Sequence, residues 1–247
     1  MRKPDDRSVG RLSPLEVMGI VFGVRYEPQW RLVDSMGSLV DRFLRTGGTS
    51  FGPKTFPSSL KGVEEHILLN QETGDRLLVN QQDTILEMSL ATRDLGQVTK
   101  LGANFESIVV EGLQEVGRVR DVLRYGVVFR LDECHALLET TPIQHYLRPD
   151  FENARTLDLR FTRRLPSLEA QAKKGVNDYR NVIYMVQQND KGQVSLSVDY
   201  QEYFIPPLSL EEFNDRSFDR FVERGVEYFQ GEFTKWFKKL TGDQEAA

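Results

Sequence analysis

The chain has 247 residues, 39% of them hydrophobic, enough to build a sizeable core in one large unit or two small ones. Its 37 acidic and 32 basic side chains leave a formal charge of -5, which argues against a protein built mainly to coat nucleic acid or an anionic membrane while permitting a local basic patch. A single cysteine, Cys134, excludes an intramolecular disulfide framework and a cysteine-rich zinc module, and three histidines leave little for a histidine metal cluster; a reducing cytoplasm is the expected home.

The leader MRKPDDRSVGRLSP has no apolar stretch behind its basic residues, and no window approaches 18 uninterrupted apolar residues, so neither a secretion signal nor a membrane span is expected. Leu15 to Glu27, dense in β-branched and aromatic residues and stopped by Pro28, reads as a strand. From Gln29 to Arg45, apolar residues at intervals of three and four predict a helix ended by Gly47 and Gly48. Thr49 to Gly62, with Gly52, Pro53 and Pro57, reads as a loop. The runs EEHILLNQ, DRLLVNQQ and TILEMSLA, separated by turn residues, predict a three-stranded antiparallel meander, and Ala103 to Val116 returns to helical spacing before Gly117.

The remainder repeats that order. Arg118 to Leu131 reads as a strand, Glu133 to Leu147 as a helix interrupted near Pro142, and strands follow at Ala154 to Arg164, Asp178 to Gln188 and Gln193 to Phe204, the last ended by Pro206 and Pro207. Ser217 to Leu240 is a long amphipathic helix. The opening strands of the two halves, GIVFGVRYE and YGVVFRLDE, each end in arginine, an apolar or aromatic residue, then an acid. The expected fold class is therefore α+β: two repeated strand, helix, three-strand, helix halves, 1–117 and 118–247, packed as one body. Their curved antiparallel sheets would carry helices on one face, in a saddle-like arrangement resembling the duplicated fold of TATA-binding protein. That likeness concerns fold alone.

The opening PLEVMGIVFGVRYEP, the central LRYGVVFRLDE and the closing SFDRFVERGVEYFQGEFTKWFKKL resemble, in order and spacing, a sporadically distributed family of uncharacterised prokaryotic proteins of about this length. The resemblance implies an intact, stand-alone prokaryotic protein, and its patchy distribution points to mobile or antiviral-defence genes. It implies no catalytic site.

Catalytic and metal readings find little support in the residues. Asp132, Glu133, Cys134 and His135 are consecutive and so point in different directions, whereas a nucleophile and its base converge from separate elements; Asp132 fits a helix N-cap and Glu133 its first turn. His66, His135 and His145 lack the i, i+4 spacing of a metal pair on a helix. Glu64, Glu65 and the acids from Asp83 to Glu87 suit a solvated meander as well as a magnesium site, and the chain has no phosphate-loop or dinucleotide signature. No catalytic residue, metal or cofactor is assigned.

Two surface features remain. Period-two alternation sets Gly23, Arg25, Arg124, Val128 and Arg130 opposite the apolar Phe22, Val24, Phe129 and Leu131, and in the next strand of the second half Arg160 and Arg164 alternate with Leu157, Leu159 and Phe161. One sheet face is thus polar, with Arg25, Arg124, Arg130 and Arg160 as fork-shaped donors suited to carboxylate or phosphate. The C-terminal helix carries an aromatic stripe widened by Tyr228 and Phe233, and with Trp236 its surplus width offers an interaction surface. These features predict a cytoplasmic binding protein, a subunit or sensor of a larger assembly, with a protein partner or further copies of itself and no membrane. The alternative partner is an anionic small molecule or nucleic acid, held by a nucleotide- or nucleic-acid-directed enzyme or effector.

Overall fold

The alternation around Phe22 is realised as strand β1 (Val17–Tyr26), which buries Ile20, Phe22, Val24 and Tyr26 on one side and exposes Arg25 on the other. The computed structural model describes residues 15–34, 37–38, 55–60, 65–70, 73–107, 109, 121–131, 157–168, 175–188, 194–209, 212 and 216–240. After the short helix α1 (Arg31–Asp34) come β2 (Thr55–Leu60), β3 (Glu65–Asn70), β4 (Arg76–Asn80), β5 (Asp83–Thr92) and helix α2 (Leu95–Ser107). Strands β6 (Val122–Leu131), β7 (Leu157–Pro166), β8 (Tyr179–Gln188) and β9 (Val194–Leu208) follow. Helix α3 (Phe218–Tyr228), a wider π-helical turn at Phe229–Phe233 and α4 (Thr234–Leu240) are the last described elements.

The nine strands form one sheet in the order β2-β3-β4-β5-β1-β6-β9-β8-β7, with every neighbouring pair antiparallel. The predicted meander is present as β3, β4 and β5. At the centre, β1 lies against β6, with Val21 opposite Val128 and Gly23 opposite Gly126.

Both longer helices pack on the apolar face. Helix α2 buries Leu95, Val98, Gly102 and Phe105, a three-four-three spacing that makes one stripe. Its Phe105 stacks on Phe22 with centroids 5.7 Å apart, and Phe218 of α3 meets both rings edge-on at 5.7 and 5.0 Å. From Gly225 onward, besides Val226 next to it, the buried residues of the last helix recur every four positions, as Gly225, Phe229, Phe233 and Phe237. In an α-helix such spacing drifts about 40° per step. The π turn holds extra residues per turn and keeps the aromatics over the sheet, while Thr234 Oγ1 donates to the Phe229 carbonyl at 2.9 Å.

Two close approaches set how tightly the helices sit. A β-carbon on Gly225 would lie 2.8 Å from Cγ1 of Val127, itself fully buried on β6, and one on Gly102 would lie 2.9 Å from Val222. Gly225→Ala gains up to about 1 kcal/mol of helix propensity but overpacks this contact by about 1–3 kcal/mol. A net loss near 1–2 kcal/mol in urea unfolding is expected. Pairing it with Val127→Ala relieves the overlap, so the double variant loses less than the sum of the two single changes.

The structure departs from the sequence reading at several elements. The expected loop from Thr49 to Gly62 contains β2; Pro57 is tolerated there because β2 is an edge strand, and the register shifts just after it. Helix α2 starts at Leu95 rather than Ala103, capped by Asp94, whose Oδ1 accepts the Gly96 amide at 3.0 Å. Strand β9 runs through Pro206 and Pro207 to Leu208; beyond Tyr203 its pairing with β8 has ended, so the missing donors remove no bond on that side. The C-terminal helix is interrupted by the π turn. Of the helix expected at Gln29 to Arg45 the described part is α1 with residues 37–38, and the helix expected at Glu133 to Leu147 lies outside the described residues.

Candidate functional site on the open sheet face

Opposite the helices, the second-half strands β6, β9, β8 and β7 set polar side chains side by side. Register places Arg124 beside Tyr203, Tyr203 beside Tyr179, and Val128, Asp199 and Ile183 in one cross-strand row. Arg160 faces Met185, and Arg164 faces Asn181. At the centre, Gly23 and Gly126 leave the sheet surface bare, since no atom comes closer than 4.0 Å to where a β-carbon would stand on either.

The four arginines read from the sequence separate into two kinds. Arg25 is engaged bidentately by Asp83, Nε to Oδ1 and Nη2 to Oδ2 both at 2.8 Å; this hydrogen-bonded carboxylate raises the Arg25 pKa further against the opposing effect of burial. Arg130 donates to Glu87 at 3.1 Å, and Glu87 also accepts from Arg76 at 3.3 Å. Arg124 and Arg160, together with Arg164, form no ion pair among the described residues, and the charge of Asp199 acts on Arg124 and Arg160 from farther off.

Aromatic rings hold two of these guanidiniums in place. Arg124 donates to the Tyr203 hydroxyl at 3.3 Å and lies 5.6 Å over its ring. Tyr203 stacks on Tyr179 at 4.7 Å with only 7° between the planes, and Arg164 covers Tyr179 at 3.7 Å. The result is a row across four strands, Arg124, Tyr203, Tyr179, Arg164. Each ring is flanked on both faces, so a nucleobase has no free ring face between them to stack on, while the guanidinium edges are available to an anion. Asn181 Oδ1 is buried beneath this region with no hydrogen-bond partner among the described residues.

Asp199 sits among these groups. Burial pushes its carboxyl up from 3.8 to about 6, against the Gln201 amide, which donates at 2.5 Å, and the charges of Arg124 and Arg160, all of which favour the ionised form. Since the native carboxyl keeps its proton to higher pH than the unfolded one, stability falls as pH rises from about 4 to about 6, and the penalty is fully present above that. Asp199→Asn is therefore expected to stabilise the protein at pH 7 by about 1–2 kcal/mol, an advantage that vanishes below pH 4; denaturant melts at the two pH values check it.

On the aromatic stripe of the C-terminal helix, Phe233 is completely buried, whereas Tyr228 and Trp236 are half-buried. Tyr228 and Tyr184 share a hydrogen bond of 2.5 Å between hydroxyls, and Trp236 packs on Tyr184 at 4.7 Å. Cys134, His135 and His145 with Asp132 and Glu133 lie outside the described residues, as do the side chains of His66 and Glu65. Among the described residues no group of three or more histidine, cysteine or acidic side chains could hold a metal ion.

The sequence reading passed over Tyr179 and Tyr203 as site residues. Their signal was parity: Tyr203 shares the period of Ser195, Ser197, Asp199 and Gln201, so it belongs to the polar face despite its aromatic ring. No protein-family model matches the chain, and no curated protein matches it in sequence.

Proposed function

We propose that this chain is a binding protein, a cytoplasmic subunit or sensor of a prokaryotic assembly, whose open sheet face receives an anionic partner. The observation that carries the proposal is the segregation of arginines: Arg25 and Arg130 are spent on Asp83 and Glu87, while Arg124, Arg160 and Arg164 form no ion pair among the described residues and present their guanidiniums on one half of the sheet. No described helix is long and apolar enough to cross a membrane.

The sheet itself we interpret as a duplication of the halves 1–117 and 118–247. In its support, β1 and β6 meet centrally and antiparallel, the last described strand of each half lies beside the first, and Val21 faces Val128. A two-fold axis placed at the Val21–Val128 pair would relate Gly19 to Gly126 and Phe22 to Phe129, setting GIVF against GVVF, out of step with the shared ends of GIVFGVRYE and YGVVFRLDE because Arg25 then falls on Asp132 rather than Arg130. The saddle then has one helix-covered side and one side free for the partner, and a role among mobile or defence-associated genes is what the resemblance to the sporadically distributed prokaryotic family would imply.

A nucleotide- or nucleic-acid-directed enzyme is the second reading, favoured by one observation, the buried carboxyl of Asp199, raised to about 6, near the guanidiniums of Arg124 and Arg160. Native mass spectrometry of the protein isolated from its own host tests the proposal. A retained anion or acidic partner that is lost from the Arg124→Ala, Arg160→Ala variant supports it; the same species retained by the folded variant refutes it.

A further inference from the structure

Strand β7 ends the strand order, and no further described strand pairs with its outer edge. It is ten residues long, LDLRFTRRLP, and carries Arg160, Arg163 and Arg164 against the single acid Asp158, a local charge of +2 (three minus one) on a chain of net charge -5. Arg160 and Arg164 point to the open face and Arg163 to the helix face, so both sides of the edge are basic.

On the helix face, between β7 and the C-terminal helix, lies a depression of about 520 Å³ lined by Phe161, Arg163, Tyr184, Glu232, Lys235 and Trp236. Phe161 forms one wall and is 51% exposed, the largest exposure of a phenylalanine among the described residues. Tyr184 and Trp236 supply aromatic surface. Arg163 pairs with Glu232 at 3.7 Å with both side chains 54% exposed and also donates a hydrogen bond toward Tyr228; the ion pair is weak enough to exchange for another.

We propose that the outer edge of β7 accepts an extended acidic segment of a partner protein as an added strand, with one aromatic or large aliphatic side chain of that segment seated in the Phe161–Trp236 depression. Main-chain hydrogen bonds along a ten-residue edge give register, alternate side chains reach the two faces, and the arginines on both faces select glutamate or aspartate. Charge decides the occupant: a second copy of the chain would bring three more arginines to the same line, whereas an acidic strand neutralises those present. The inference does not require the open-face reading, because Phe161, Arg163 and the depression lie on the opposite side of the sheet.

The test uses the full chain and a fluorescein-labelled decapeptide of glutamate and valine with a central phenylalanine, its glutamates placed at both odd and even positions so that each face of the added strand carries acids. Saturable binding is expected, with slowed hydrogen exchange confined to the amides of 157–166, weakening about tenfold in the exposed variant Arg163→Glu. A Phe161→Ser variant, changed at an exposed position, is expected to weaken it as well. Equal binding of the same peptide with lysine for glutamate, protection elsewhere than β7, dimerisation through β7, or no binding each overturns the proposal.

Discussion

Arg124→Ala combined with Arg160→Ala is expected to cost the open face at least a hundredfold in affinity for its anionic partner. Each charge-assisted hydrogen bond to an ionised group is worth about 1.5–3 kcal/mol, so the loss of two spans about 3–6 kcal/mol, two or more factors of ten. Folding is expected to be intact, since Arg160 is exposed and Arg124 surrenders one 3.3 Å contact with Tyr203. Arg25→Ala is the control: its guanidinium already has both arms on Asp83, so its removal changes binding little while leaving the poorly exposed Asp83 carboxylate without its partner. Titration calorimetry of the purified partner against the three proteins separates these outcomes.

The largest effect on stability is expected from Glu202→Ala. Glu202 faces the helices, is 4% exposed, and accepts from Arg224 of α3 at 2.7 Å. Burial pulls the Arg224 pKa down, but the Glu202 charge and hydrogen bond, with help from Tyr200, more than restore it. Arg224 Nε is already buried without a hydrogen-bond partner among the described residues, so removing the carboxylate leaves the guanidinium with Tyr200 as its main remaining compensation where α3 meets the sheet. A loss of about 3 kcal/mol in urea unfolding is expected, at the low end for a broken buried pair because Arg224 keeps some solvent. Glu202→Met with Arg224→Met is expected to recover most of it, since a packed apolar pair needs no charge compensation.

Where one face of a strand is buried, its location was legible, because the apolar alternation of Phe22 and Val24 or of Phe129 and Leu131 is imposed by burial itself. β2 was hidden by Pro57, whose turn signal is overridden only at a sheet edge, and edge position is a property of the whole sheet. α2 was misplaced because Gly96 and Gly102 weaken helical propensity in its first two turns, yet Gly102 is what lets Val222 approach. The π turn was written in the four-residue spacing of Gly225, Phe229, Phe233 and Phe237, a period too long for a regular α-helix.

The polar face was legible as a face, and its internal partition was not. Which arginine is neutralised depends on cross-strand register: Asp83 lies 58 residues from Arg25, and Glu87 lies 43 residues from Arg130. Nothing local to Arg124 or Arg160 distinguishes them from Arg25, and the Tyr179–Tyr203 stack exists only because β8 and β9 pair with those two residues opposite. The proton retained by Asp199 comes from burial, which alternation alone does not show for a residue on the polar side. Its protonation removes a negative charge beside Arg124 and Arg160, so anion binding is expected to tighten as pH falls from 7 toward 5.

The most direct measurement is a titration of inorganic tripolyphosphate into protein carrying nitrogen-15 arginine, following the side-chain Nε–H signals by nuclear magnetic resonance. The account predicts saturable shifts at Arg124, Arg160 and Arg164, with those of Arg25 and Arg130 held in place by Asp83 and Glu87. Uniform small shifts at every exposed arginine, or shifts largest at Arg25 and Arg130, would contradict it.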